Sequence, residues 1–350
     1  MPSQKAIIIT SPKQEGLVTD RPIPTLRDDY ILIKTVAVAL NPTDWKHIAY
    51  LAPPGVLVGC DYAGVVEEVG PAVKKQWKKG DRVAGFVHGC NAVQAEDGAF
   101  AEYIVAKGDI QMRIPENLGF EEAATLGVGI MTVGQGLYQS LGLGLPGQRK
   151  ESETSEPILI YGGSTATGTL AIQFAKLSGY RVLTTCSPHN FDLVKKLGAD
   201  EVYDYRDPGA AAKIREATGD KLRLVFDTIS LEPSAKFCEQ AISTSGGEYS
   251  ALLSVKVDRE NVRSRSTLGY TVVGEEFMFG QTPYPAKPED KEFAEKFAVV
   301  AEGLLGSGKV KVHPPKVGAD GLKGVIGGLK LLKEDKVSGE KLVYRVGETP

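Results

Sequence analysis

Residues Gly162, Gly163, Ser164, Thr165, Ala166, Thr167 and Gly168 follow the short apolar run "PILIY" (Pro157 to Tyr161) and lead into a helical pattern. At the start of a helix the first peptide N–H groups have no intrahelical acceptors and carry the positive end of the helix dipole. That suits a pyrophosphate. Gly162 and Gly163 allow a tight turn and close backbone approach, Gly168 lets the helix lie near the strand, and the serine and threonine hydroxyls add donors that glycine lacks. The spacing is not G-x-G-x-x-G, and the same residues would serve a plain strand-to-helix turn with no ligand. The next strand discriminates more. A site for NAD places an Asp or Glu near its end to hold the adenosine ribose. Here the strand ends in "TTCSPHN", so Ser187, Pro188, His189 and Asn190 offer hydrogen bonds without negative charge, and Lys195 and Lys196 follow. A 2′-phosphate is tolerated there, and NADPH is the expected cofactor. The alternative, a polar turn capping a helix at Asn190 beside two solvated lysines, explains the residue types but not the missing acid.

The elements that would hold these residues alternate. From Pro157 onward, strand-like runs ("PILIY", "RVLTTCS", "DEVYDY", "LRLVFDTI", "GEYSALL") are separated by helical stretches, including one near Ala210 to Thr218. Strand alternating with helix predicts parallel strands and crossovers, hence a Rossmann-type doubly wound parallel sheet in an α/β chain. Leu170, Phe174 and Leu177 put one apolar stripe of the first helix against that sheet, and Gly179 ends it. The first third instead carries short β-branched runs between glycine and proline turns ("KAIIIT", "YILIKTVAVALNP", "YAGVVEEVG", "DRVAGFV", "AEYIVAK"), which predicts a mostly antiparallel β domain. After Lys287 a charged helix and the closing "GEKLVYRV" are more like the first part than the second. The polar stretch Gly142 to Pro157 reads as a loop.

A chain of 350 residues favours two domains. With 42% hydrophobic and 24% charged residues and a net charge of -3, nothing suggests disorder or a nucleic-acid footprint. No run reaches bilayer length, and the N-terminal "MPSQKAIIIT" has no signal-peptide pattern. Cys60, Cys90, Cys186 and Cys238 are far apart and form no C-x-x-C pair, so neither a disulfide framework nor a zinc ribbon is expected, and a reduced cytoplasm is the expected compartment.

"NPTDWK" (Asn41 to Lys46), "GCDYAGVVEEVG" (Gly59 to Gly70), "GDRVAG" (Gly80 to Gly85), "GAFAEY" (Gly98 to Tyr103), the nucleotide turn and "GEKLVYRV" together resemble the medium-chain dehydrogenase/reductase superfamily over nearly the whole chain. The resemblance implies a GroES-like β domain over 1–124 and 306–350 and a Rossmann-type NADPH domain over 125–305. Laid on this chain, the zinc ligands of the alcohol dehydrogenases fall on Asn41, Cys60 and near Val128, which cannot supply the three ligands a catalytic zinc needs. No metal is expected. "YGGSTAT", "CSPHNFDLVKKLGADEVYDYRDP", the polar insertion and "SGEKLV" are most similar to the fungal trans-acting enoyl reductases of polyketide biosynthesis. Those enzymes reduce α,β-unsaturated thioesters on an acyl carrier protein with NADPH.

By that resemblance, Thr43, Asp44, Trp45 and Lys46 meet the cofactor in the β domain. Ser164 to Thr167, Ser187 to Asn190, Tyr205 against adenine, and Leu252 with Leu253 meet it in the nucleotide domain. Lys46 would hold the ribose or relay a proton, and Thr132 would orient the carboxamide. Val133, Gly134, Gln135, Gly136, Leu137, Tyr138, Gln139 and Ser140 would line the acyl site, with glycines 127, 129, 134 and 136 leaving room for a ligand. The segment "YTVVGEEFMFGQTPYP" from Tyr270 would also face the substrate. A bland fate is open to each. Lys46 would then be a solvent lysine, Thr132 a helix hydroxyl bonding its own turn, and Tyr205 packing. Cys60 and Asp61 read as core, and His47 and His88 as lone histidines. A monomer is expected rather than a dimer. A quinone or small-enal reductase, or a non-catalytic NADPH-binding protein on the same fold, are the rival readings.

Overall fold

A computed structural model describes residues 3–148 and 156–350, so the polar stretch Gly142 to Pro157 lies partly outside the described residues. The chain forms two units, Met1–Met131 with Tyr270–Pro350, and Thr132–Gly269. Among the described residues no helix is long and apolar enough to cross a membrane.

The second unit is a six-stranded parallel sheet. Its strands lie in the order Glu201–Asp204, Arg181–Cys186, Pro157–Tyr161, Leu224–Asp227, Gly247–Ala251, Val262–Ser266. The order reverses beside Pro157–Tyr161, the switch point at which such sheets bind ligands past the carboxyl ends of their strands. Pro157–Tyr161 is buried throughout, paired on both edges and packed by the helix that follows it, which is why it reads as a continuous apolar run. Its helix, Ala166–Leu177, is capped by Thr165 and ends before Gly179, whose φ of 84° favours glycine.

The first unit is built on a seven-stranded, mostly antiparallel sheet around Tyr30–Ala39, which pairs with Asp61–Val69, Tyr103–Lys107 and the C-terminal strand Lys341–Arg345. The core beneath it gathers Ile7, Ile9, Ile31, Ile33, Tyr62 and Phe100. The units part at 131/132 and 269/270, whereas the sequence suggested 124/125 and 305/306. The difference has a packing cause. Helix Pro288–Gly306 turns Ala294, Phe297, Ala298, Ala301 and Leu305 inward and packs on Gly108–Ile110 and Met112–Arg113. Its Glu302 accepts from the Arg113 N–H at 3.0 Å and from Lys75 at 2.5 Å. Ahead of it, Glu275 accepts from the Tyr30 hydroxyl at 2.9 Å and from the buried Lys107. Strand–helix alternation alone carried no record of these partners.

Candidate functional site

In the nucleotide unit the glycine turn is tight because only glycine fits. Gly162 has φ 83°, and a Cβ there would stand 2.6 Å from Thr228 Oγ1. A Cβ on Gly163 would meet Thr184 Oγ1 at 2.1 Å, and one on Gly168 would meet the Gly162 carbonyl at 2.2 Å. Gly163 N–H donates to the Thr185 carbonyl at 2.8 Å, fastening the turn to the neighbouring strand. Thr165, expected to offer its hydroxyl to a phosphate, caps the helix instead. Its Oγ1 accepts the Gly168 N–H at 2.9 Å and lies 3.0 Å from Thr228 Oγ1. That cap leaves the N–H groups of Ala166 and Thr167 without intrahelical acceptors, beside half-buried Ser164. The cradle fits a pyrophosphate through backbone donors.

Ser187 is half-buried, Pro188 and His189 are exposed and Asn190 is buried, with no carboxylate among them. Tyr205 is 43% exposed, at the end of its strand, 6.5 Å from the Tyr161 ring. Leu252 donates its N–H to Ser230 Oγ at 2.7 Å and Leu253 is exposed. Sequence reasoning missed the residues that brace this edge. Asp227, fully buried, accepts from Ile229 N and Ser230 N at 2.9 Å, Ser234 Oγ at 2.6 Å and Tyr249 OH at 2.7 Å. Thr228 Oγ1 donates to the Tyr161 carbonyl at 2.8 Å. The visible signal was "DTIS", an Asp followed by hydroxyl residues at a strand end, the chemistry of an Asx turn.

The segment expected to line the acyl site begins on helix Gly127–Val133 and continues as a π-helix, Gly134–Ser140. Such widened turns occur often at functional sites. Within this unit, however, Val133 and Leu137 are core, Tyr138 OH lies 3.0 Å from Ser178 Oγ, and Gln139 is exposed. Gly136 does not leave room for a ligand: a Cβ there would stand 2.3 Å from the Phe226 ring. Gly127 likewise answers to packing, against the Gly85 carbonyl at 2.2 Å. Thr132 is half-buried, and its Oγ1 lies 4.0 Å from where a Cβ on Gly269 would stand.

In the other unit, helix Pro42–Tyr50 starts after extended Asn41 with a proline in its first turn. Asp44, expected at the cofactor, is turned inward instead. Its Oδ2 accepts the Asn41 N–H at 2.7 Å, and burial pushes its carboxyl up to about 7. Trp45 and Lys46 are half-buried. The Lys46 ammonium is 5.7 Å from the Trp45 ring centre, and burial lowers its pKa. Thr43 Oγ1 lies 2.6 Å from Tyr270 OH, and His47 Nδ1 lies 2.9 Å from the Thr43 carbonyl and 3.4 Å from that phenol. His88 stacks on Tyr270 at 4.2 Å, and Cys60 Sγ is 3.9 Å from its hydroxyl. Burial raises the Tyr270 and Cys60 pKa values and lowers those of His47 and His88, the last to about 3. The cluster is therefore neutral near pH 7. It can donate hydrogen bonds to a developing oxyanion or pass a proton, but it supplies no thiolate or imidazolium. Tyr270, His47 and His88 had no spacing that would have joined them in advance.

Zinc does not fit the donor set. The Asn41 side chain is engaged by Lys341 and Asp61, Cys60 is held as a thiol, and no described group of three or more His, Cys, Asp or Glu could hold a metal ion.

Residues 27–116 match the alcohol dehydrogenase GroES-like domain family, and residues 166–249 match the zinc-binding dehydrogenase family. The chain is 66% identical over 288 residues to trans-enoyl reductase TOXD of Cochliobolus carbonum, covering 81% of this chain and 96% of that protein. It is 51% identical to trans-enoyl reductase resD of Aspergillus sclerotiorum, covering 98% and 100%. The fold matches a solved CurK enoyl reductase at a TM-score of 0.74 with 18% identity, covering 98% and 99%. It also matches a quinone oxidoreductase from Coxiella burnetii at a TM-score of 0.73 with 24% identity, covering 99% and 100%. A GroES-like unit, a Rossmann-type unit, and identities of 66% and 51% to these trans-enoyl reductases place the chain in the trans-enoyl reductase family of the medium-chain dehydrogenase/reductase superfamily.

Proposed function

We propose that this protein reduces the double bond of an α,β-unsaturated acyl thioester with NADPH, acting in trans on a polyketide synthase's acyl carrier protein. The observation that carries the proposal is the nucleotide cradle, whose second strand ends in Ser187 to Asn190 without an acid, in a chain 51% identical to a trans-enoyl reductase over 98% of its length. NADPH supplies a hydride, which suits the β-carbon of an enoyl thioester. Ala166 and Thr167 N–H hold the pyrophosphate, the polar turn from Ser187 tolerates the 2′-phosphate, Tyr205 packs against adenine, and Leu252 and Leu253 meet the cofactor past the end of Gly247–Ala251. Lys46 and Thr43 act on the nicotinamide side, and Thr132 orients the carboxamide. The neutral hydroxyls of Thr43 and Tyr270 suit an enolate oxygen, since donors that stay uncharged stabilise growing charge without competing as nucleophiles. The Val133 to Ser140 segment contributes to the acyl site through residues other than the core positions Val133, Gly136 and Leu137. A cytoplasmic monomer is the proposed working form.

The test is NADPH consumption with an enoyl pantetheine thioester, with the saturated acyl product identified by mass. Thr132→Val is expected to lower turnover about tenfold, and Lys46→Ala to weaken cofactor binding, turnover or both by a similar factor. NADPH oxidation only with a quinone, or no oxidation with any acceptor, removes the proposal.

Cofactor choice has its own measurement. With no carboxylate to repel a 2′-phosphate, NADPH should bind at least about tenfold tighter than NADH, about 1.4 kcal/mol. Calorimetry with both dinucleotides reads this directly, and Ser187→Asp should narrow the gap by setting like charge against the phosphate. Equal affinities in the unaltered protein contradict the expectation.

A further inference from the structure

Lys341 opens the C-terminal strand and is 4% exposed. Its ammonium donates to Asn41 Oδ1 at 2.9 Å, to the Thr125 carbonyl at 3.2 Å and to Asp61 Oδ2. An ammonium has three protons, and these three acceptors take them all. Asp61 is fully buried. Its Oδ2 also accepts Asn41 Nδ2 at 2.9 Å, while Oδ1 accepts the Val128 N–H at 2.6 Å. Gly127 is pressed against the same carboxylate, with room for a Cβ only 2.5 Å from Oδ1. Two of the three positions on which zinc ligands fall by resemblance, Asn41 and Val128, are thus drawn onto one ammonium–carboxylate pair, and Cys60 immediately precedes the carboxylate.

We infer that Lys341 is an internal cation that positions the Asn41 turn, and through it Thr43 and Lys46. A buried ion pair contributes little net stability compared with well-packed apolar side chains, so its consequence is geometric. Asn41 shows how the geometry is passed on. Its side-chain oxygen accepts from Lys341 and its amide N–H donates to Asp61, while its backbone N–H is held by Asp44 Oδ2 and its carbonyl accepts the Asp44 N–H at 3.0 Å. The first turn of helix Pro42–Tyr50 therefore inherits its placement from an ammonium 300 residues away in sequence. Lys341 acts through Asn41 as a positioning residue.

The kinetic arm of the test rests on the enoyl reductase reading, while the structural arms do not. Lys341→Ala should lower kcat/KM by about tenfold or more. Methylammonium should restore most of that loss by occupying the vacated place. Tetramethylammonium at equal ionic strength is too large to do so, and the unaltered protein should respond to neither. The same methylammonium titration should raise the Tm of the variant alone, because a ligand that binds only the folded state stabilises it. If Lys341→Ala does not fold, the double variant Asp61→Asn/Lys341→Met removes both charges. It should fold yet bind NADPH more weakly than the unaltered protein. Unaltered kcat/KM and NADPH affinity in the variant that folds, or no methylammonium effect on the Tm of Lys341→Ala, overturns the inference. An unaltered protein inactive on thioesters sinks the functional reading instead and leaves the Tm and cofactor arms to decide.

Discussion

An enoyl group presented on its acyl carrier protein is expected to be reduced with a kcat/KM at least about tenfold above that of the same group on free pantetheine, with a simple quinone slower than both. A docked carrier keeps its acyl chain near the site, so the second encounter is intramolecular, and each tenfold gain needs only about 1.4 kcal/mol of docking energy. The neutral donors Thr43 and Tyr270 add a reason for the order. A thioester oxygen gains charge at one point when the double bond is reduced, and fixed donors favour such a point. Side-by-side rates for the three substrates decide the matter. A quinone at the top of the order would move the protein to the quinone reductases, and equal rates for free and carried thioester would remove the carrier from its function.

The second large effect belongs to the nucleotide turn. Gly168→Ala puts a Cβ 2.2 Å from the Gly162 carbonyl and 2.8 Å from Gly163 Cα, both backbone atoms that cannot rotate away. The turn must open, which separates the N–H groups of Ala166 and Thr167 from their aim. NADPH affinity should fall about thirtyfold or more, equivalent to about 2 kcal/mol, with a lowered Tm. Gly327→Ala is the control. It lies on the exposed face of helix Gly321–Lys333 with nothing within 4 Å of a new Cβ, and helix propensity predicts a gain of up to about 1 kcal/mol. Calorimetry and thermal melts on the two variants separate close approach from a general dislike of substitution at glycine. Unchanged NADPH binding by Gly168→Ala would mean that the dinucleotide does not use this turn.

The parallel sheet was legible because strand-like runs such as the apolar Pro157–Tyr161 alternate with helical stretches, and the helix after the glycines because its cap, stripe and stop are all local. The antiparallel strands around Tyr30–Ala39 were legible as short β-branched runs between glycine and proline turns. What stayed hidden depends on partners far away in sequence. Gly136 looked like space, and only the fold reveals the Phe226 ring against it. Thr165 looked like a phosphate donor until Thr228 and Gly168 claimed its oxygen. Asp44 and Thr43 are neighbours in sequence, yet one caps a helix in the interior and the other meets a tyrosine 227 residues away. No periodicity records such pairings.

The chain leaves the β unit at Met131 and re-enters it at Tyr270, and this bears on how the protein comes to be made. The nucleotide unit is one continuous stretch, so all of its strands leave the ribosome together and can pair before the Tyr270–Pro350 part of the β unit is made. The β unit cannot finish then. Strand Tyr30–Ala39 waits for Lys341–Arg345, and the buried Asp61 stays without its ammonium until Lys341, 280 residues later, has been added. During that interval an open strand edge and an unpaired carboxylate face water. The slow, aggregation-prone step of biogenesis should therefore be closure of the β unit, and truncations that remove the final strand should yield insoluble protein with a nucleotide unit that still folds.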